Sequence, residues 1–234
     1  MLELKNITKV IGDKIILRNF SLELERGESV AIIGPNGAGK STFFKIAAGL
    51  MQPTSGDIYL NGEVVKKKSP ILKKKIGYLG HESFLYNSLT PVENLMFYAK
   101  LYKIKNREEK AMELLNTVGL HYFKDIPIRS FSRGMMQRLA IARVLLAEPD
   151  VLLLDEPHTG LDQEAISLLN KLMREKQDKG ISILLISHDF EQVMNNCDKA
   201  LVLKKGKVVT FQPIDRNAGL VALKEWYDGA VNGK

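Results

Sequence analysis

Cysteine is nearly absent from this chain. Cys197 stands alone among 234 residues, so no internal disulfide can form, and a reducing compartment is the expected environment. A lone cysteine of this kind reads as a small packed side chain. No apolar run approaches the roughly 20 residues that a membrane-crossing helix needs. The opening Met1-Leu2-Glu3-Leu4-Lys5 lacks the pattern of a secretory leader. No internal repeat and no low-complexity linker interrupts the chain. Acid is in deficit: 34 Lys and Arg stand against 27 Asp and Glu, a net charge of +7 that favours anionic partners. The clusters Lys66-Lys67-Lys68 and Lys73-Lys74-Lys75 carry part of that charge. No aromatic side chains interleave with them to build a nucleic-acid groove, so they read as a solvated loop and helix end. With 45% hydrophobic and 26% charged residues, the composition suits one globular domain with room for a subdomain.

Against these absences stands one concentrated stretch. Gly34-Pro35-Asn36-Gly37-Ala38-Gly39-Lys40-Ser41-Thr42 fits Gly-x-x-x-x-Gly-Lys-[Ser/Thr]. The apolar Ser29-Val30-Ala31-Ile32-Ile33 before it reads as a buried strand, and the residues from Thr42 to Ala48 can form a helix. Glycines let the backbone turn its N–H groups onto phosphate oxygens. The following helix offers free N–H groups and a positive dipole end to the same anion. Lys40 can reach the β- and γ-phosphates as a mobile point charge, and the Ser41 hydroxyl can ligate Mg²⁺.

Along the chain, residues 2–25 read as β-structure, closed by a turn at Arg26-Gly27-Glu28. Residues 57–65 read as a hairpin with Asn61-Gly62 at the corner. Lys75–Leu79 reads as a short strand. From about 83 to 147 the pattern turns helical. Thr90 and Pro91 suit a helix start, a second helix is expected from about Arg107 to Val118, and a third starts after Ser132 and runs to Ala147. Such a block inside an alternating β/α chain predicts an inserted helical subdomain. A buried strand at 151–154, a helix at 163–178, a strand at 181–186, a short helix from Phe190 and a hairpin around Lys204-Lys205-Gly206 follow. The tail after Pro213 has helical spacing at Leu220, Leu223 and Tyr227.

The strand at 151–154 runs into Asp155-Glu156-Pro157. Carboxylates at the C-terminal end of a buried parallel strand stand where α/β sheets bind ligands. Asp155 is placed to hold Mg²⁺, and Glu156 to accept a proton from an attacking water. His188 ends the next strand and is placed to hydrogen-bond a γ-phosphate.

The ordered set of the phosphate loop, Phe131-Ser132-Arg133-Gly134-Met135-Met136-Gln137, Leu154-Asp155-Glu156-Pro157, Gly160-Leu161-Asp162 and His188 resembles the ATPase subunits of ATP-binding-cassette (ABC) transporters over residues 1 to about 212. The resemblance implies a P-loop α/β core, an N-terminal antiparallel β subdomain and an inserted helical subdomain, with residues 213–234 as a helical tail. It implies ATP and Mg²⁺ as cofactors and a separate membrane-spanning subunit as partner. It also implies a location on the cytoplasmic face of the membrane. In the family, two cassettes pair head to tail, and each phosphate loop would face Ser132 and Gly134 of the other. Phe131, Arg133 and Met135 depart from the family's Leu-Ser-Gly-Gly-Gln. Ile11 replaces an adenine-stacking aromatic, and His81 replaces a glutamine that contacts Mg²⁺ and water, which makes His81 a third candidate in the active site. The stretches Ile76–Glu82, Asp125-Ile126-Pro127 and Ser132–Met135 are similar to the haem-exporter ATPases of cytochrome c maturation. Two alternatives stand beside this reading. One is a non-transport relative acting on nucleic acid or ribosomes, whose long coiled coils or tandem cassettes are not found in these 234 residues. The other is a nucleotide-gated interaction module.

Overall fold

In the computed structural model, which describes residues 1–66, 69, 71–80 and 82–233, the strands divide into two sheets. The first is antiparallel, ordered β2-β1-β4-β5, from β1 (Leu2–Ile11), β2 (Lys14–Leu24), β4 (Ser55–Leu60) and β5 (Glu63–Val64). The second is ordered β10-β9-β3-β8-β7-β6, from β3 (Ser29–Ile33), β6 (Ile76–Leu79), β7 (Val151–Asp155), β8 (Ser182–Ile186), β9 (Lys199–Lys204) and β10 (Lys207–Pro213). Its strands run parallel except for β10, which returns antiparallel on β9.

The central strands β3, β7 and β8 of the second sheet are buried on both faces, as their unbroken apolar runs require. Alternate side chains feed two cores. Val30, Ile32, Leu153 and Leu184 pack toward the antiparallel sheet and α1 (Lys40–Ala47), which contributes Phe43, Phe44 and Ile46. Ala31, Ile33, Leu152, Leu154 and Leu185 pack toward the helices on the other face. Those helices are α3 (Pro91–Leu101), α4 (Arg107–Thr117), α5 (Arg133–Leu145), α6 (Gln163–Asp178), α7 (Phe190–Asn196) and α8 (Gly219–Asn232). Two 3₁₀ turns, His121–Phe123 and Ile128–Ser130, join α4 to α5.

Local sequence accounts for most of the boundaries. Asn61 and Gly62 both take positive φ, 53° and 83°, as a two-residue hairpin corner requires. Thr90 caps α3: its hydroxyl accepts from Glu93 N at 3.2 Å, and Glu93 Oε2 accepts from Thr90 N at 2.8 Å, with Pro91 in the first turn. Two expectations shift. Lys75 ends the short helix α2 (Ile71–Lys75) rather than opening a strand. The third helix stops at Leu145, not Ala147, because Glu148 (φ 49°) turns the chain ahead of Pro149. The tail helix α8 lies on the body of the protein. Leu223 enters the core, and Tyr227 meets Phe190 edge to face at 5.2 Å.

Candidate functional site

The chain leaves β3 at Ile33 and enters the phosphate loop at once. Gly34 is obligatory, since a Cβ there would lie 2.1 Å from the Leu203 carbonyl oxygen on β9. Gly39 has φ 108°, and a Cβ there would lie 2.9 Å from both Ile16 O and Leu17 Cδ2 on β2. The loop is thus wedged between two strands. α1 begins with no side-chain cap and no acidic residue in its first turn, which leaves its N-terminal N–H groups for an external anion.

Lys40 is buried, 8% exposed, and folds back over the loop. Its Nζ donates to Gly34 O at 2.6 Å and to Pro35 O at 3.1 Å. Burial lowers its pKa, while the Glu156 and Asp155 carboxylates pull it up.

The opposite wall comes from β7 and β8. Asp155 pairs in register with Ile186, and Ile186 with Ile32 of β3, so the three strand ends are level. Asp155 is buried at the tip of β7. Glu156 then takes left-handed φ (53°), a conformation costing about 1–2 kcal/mol for a residue with a Cβ. The Glu156 N–H is tied to Ile186 O at 2.9 Å. This reversal brings Glu156 Oε1 to 3.5 Å from His188 Nε2. Burial pushes the Glu156 carboxyl above its ordinary value, against the pull of His188; Asp155 adds to the rise and Lys40 opposes it. A carboxylate with a raised pKa is a better proton acceptor.

Between the walls lies a cleft of about 500 Å³, lined by residues 36–42, Ile16, Asp155, Glu156, Ile186 and His188. This volume falls in the range of small-molecule sites. The Ser41 hydroxyl and the Asp155 carboxylate are two of the side-chain oxygens in this lining that could take a divalent ion. Among the described residues no group of three or more His, Cys, Asp or Glu could hold a metal on its own. Two oxygens suit Mg²⁺, which keeps waters and shares its shell with substrate phosphates, and do not suit a self-sufficient metal cage.

Every described member of the predicted set is accounted for. Asn36, Gly37, Ala38, Gly39, Lys40, Ser41, Thr42, Asp155, Glu156 and His188 line the cleft, while Gly34 and Pro35 stand behind it as acceptors for Lys40. Ser132 caps α5, accepting from Met135 N at 3.2 Å. Ser132 and Gly134 are not among the cleft's lining residues, so this chain's own loop and its α5 start form separate surfaces. Arg133 lies along Gly160 within the same chain. His81 lies outside the described residues. The sequence reading missed Ile16, hidden in the broken alternation of β2, and gave no role to Gln137, whose Nε2 donates to Pro157 O at 3.0 Å beside Glu156.

Comparison with known proteins decides the family. The family model "ABC transporter" matches residues 17–159. The chain belongs to the ABC transporter family. It is 36% identical over 211 residues to the linearmycin resistance ATP-binding protein of Bacillus subtilis (strain 168), covering 89% of this chain and 68% of the relative. It is 34% identical over 232 residues to the lantibiotic transport ATP-binding protein of Streptococcus pyogenes, covering 99% and 93%. A solved ATP-binding cassette in a dimeric post-hydrolysis state with ADP and Pi superposes with a TM-score of 0.80 at 31% identity, covering 92% of this chain and 99% of that one. This ABC subunit is therefore an ATPase with ATP and Mg²⁺ as its cofactors. No described helix is long and apolar enough to cross a membrane.

Proposed function

We propose that this ABC subunit pairs head to tail with a second cassette, hydrolyses ATP at the shared face, and thereby drives export through a separate membrane subunit from the cytoplasmic side. The supporting observation is the Glu156–His188 pair, 3.5 Å apart, set across the cleft from Lys40 and the uncapped start of α1. In this reading the loop amides and Lys40 bind the phosphates. Ser132 and Gly134 of the partner subunit close over the γ-phosphate. Ser41 and Asp155 would hold Mg²⁺, which neutralises phosphate oxygens as charge moves. Glu156 takes a proton from water, whose oxygen forms the new bond to γ-phosphorus as the bond to the ADP oxygen breaks. His188 orients the γ-phosphate and, at 3.5 Å, holds Glu156 in place. Residues 1–212 form the working unit, with the helices of 83–147 inserted and 213–234 as a tail laid against it.

A mostly apolar groove of about 280 Å³ suits the membrane subunit. It is lined by Tyr78, Phe84, Leu101, Tyr102 and Arg143 among others. In the adjoining segment, Phe84 lines this groove at 46% exposure, Leu85 packs against the core, and Tyr86 meets Phe97 edge to face at 4.8 Å.

A second reading narrows the cargo to haem, on the stretches Ile76–Glu82, Asp125–Pro127 and Ser132–Met135. The relatives named above point instead to lantibiotic transport and linearmycin resistance. Two measurements test these readings. Purified Glu156→Gln should lose Mg²⁺-dependent phosphate release and accumulate as an ATP-bound dimer; undiminished release removes the proposed base. Deleting the gene should abolish haem-stained c-type cytochromes if haem is the cargo, and unchanged staining rejects it.

A further inference from the structure

His158 is buried, 8% exposed, on the short loop between Glu156 and the start of α6. Its Nε2 lies 2.8 Å from Asn170 Oδ1 on α6. The Asn170 amide nitrogen donates onward to Gln192 Oε1 on α7 at 2.9 Å. Asn196 Nδ2 closes the chain, donating to Gln192 O at 2.8 Å and approaching Gln192 Oε1 at 3.4 Å. With Asn170 Nδ2 turned to Gln192, its oxygen faces His158, and a hydrogen bond there requires the Nε2–H tautomer. His158 Nδ1 has no hydrogen-bond partner. Burial lowers the imidazole's pKa, which favours the neutral ring, and Asp189 is the carboxylate that faces it.

The polar chain is linked along the backbone to each member of the hydrolytic pair. At one end, His158 lies two residues beyond Glu156, and the intervening Pro157 carbonyl is held by Gln137 of α5. At the other, α7 is capped by Asp189, which accepts from Glu191 N at 2.9 Å and Gln192 N at 3.2 Å and directly follows His188. Packing alone does not call for such a chain. Apolar side chains of similar volume would fill the space without leaving His158 Nδ1 and Asn196 Oδ1 unpaired.

We propose that His158 is a positioning residue for hydrolysis: its bond to Asn170 locks the Glu156 loop to α7 and so fixes Glu156 against His188. The inference rests on the reading of those two residues as facing the γ-phosphate.

The test uses the purified full chain with saturating Mg²⁺-ATP. His158→Leu and Asn170→Leu remove the bond while keeping bulk, and His158→Gln keeps an amide donor of similar reach. Each leucine variant should lose about tenfold or more in kcat with KM for ATP within about twofold, since binding is left intact. The double variant should be no slower than Asn170→Leu, which already removes the bonds to both His158 and Gln192. His158→Gln should recover most of the rate. Nitrogen-15 NMR of the imidazole should show a hydrogen-bonded Nε2–H proton in the parent that moves upfield and exchanges faster in Asn170→Leu. A folded Asn170→Leu with parental kcat overturns the proposal, as does an Nδ1–H tautomer, and neither result depends on His158→Leu folding. A dead Glu156→Gln beside a fully active Asn170→Leu removes only the role of His158, whereas an active Glu156→Gln removes the reading beneath it.

Discussion

The Nζ of Lys40 donates to the Gly34 carbonyl oxygen, six residues back along its own loop, at 2.6 Å. The ammonium is thus already inside the phosphate cradle, held by main-chain acceptors that phosphate oxygens would replace. Lys40→Ala should lower kcat/KM for ATP by about 10²–10³-fold, the scale of losing one preorganised charge donor. Lys40→Arg should not restore it, because a planar fork cannot replace a compact ammonium in this pocket. Phosphate-release kinetics on both variants check this.

Glu156 gives a prediction with opposite signs for stability and activity. Burial raises its carboxyl above the ordinary value of 4.5. Between 4.5 and the raised value the folded protein binds more proton than the unfolded chain. The protonated group's contribution is therefore full below 4.5 and is lost as pH rises through the folded value. At neutral pH the carboxylate is a burden that an amide lacks. Glu156→Gln should melt a few degrees higher than the parent at pH 7, at about 2–4 °C per kcal/mol for a chain of this size. The gap should close on acidification toward pH 4.5, while turnover at pH 7 falls about 10²–10⁴-fold. Differential scanning calorimetry across pH reads the first effect.

Ile11 is 49% exposed at the tip of β1 and does not line the cleft, which offers Ile16 as its aliphatic wall. Phosphate contacts should then dominate nucleotide binding. Ile11→Tyr should tighten ATP binding by about tenfold, taking a stacking gain of ~1–3 kcal/mol. Equilibrium binding of ATP and GTP to both proteins tests this, and the parent should separate the two nucleotides poorly.

Thr90 is a control for stability without chemistry. Its reciprocal bonds with Glu93 close the first turn of α3, away from the cleft. Thr90→Ala should cost about 1 kcal/mol and lower Tm by about 2–4 °C. Turnover by the folded variant should be unchanged.

Local chemistry was the legible part of the sequence. Gly34–Thr42, Asn61-Gly62 and Thr90-Pro91 each state a backbone requirement within a few residues, and the structure meets each one. The acids after β7 were legible because a buried strand must surface somewhere. Strand order was not legible, since nothing local says that β3 lies between β9 and β8. Nor was the chain from His158 through Asn170 to Gln192 and Asn196, because its members sit on three elements and meet only once α6 and α7 are packed. Ser132 showed its capping role but not its distance from its own phosphate loop, since that separation depends on tertiary packing.

The nucleotide cradle, encoded before residue 43, is built against the far end of the chain. Gly34 lies on Leu203, and Gly206 N donates to Ala38 O at 2.9 Å. A nascent polypeptide lacking the β9–β10 turn has no back wall for the loop. Ligand-assisted folding during synthesis must therefore wait until nearly the whole cassette has cleared the ribosomal tunnel.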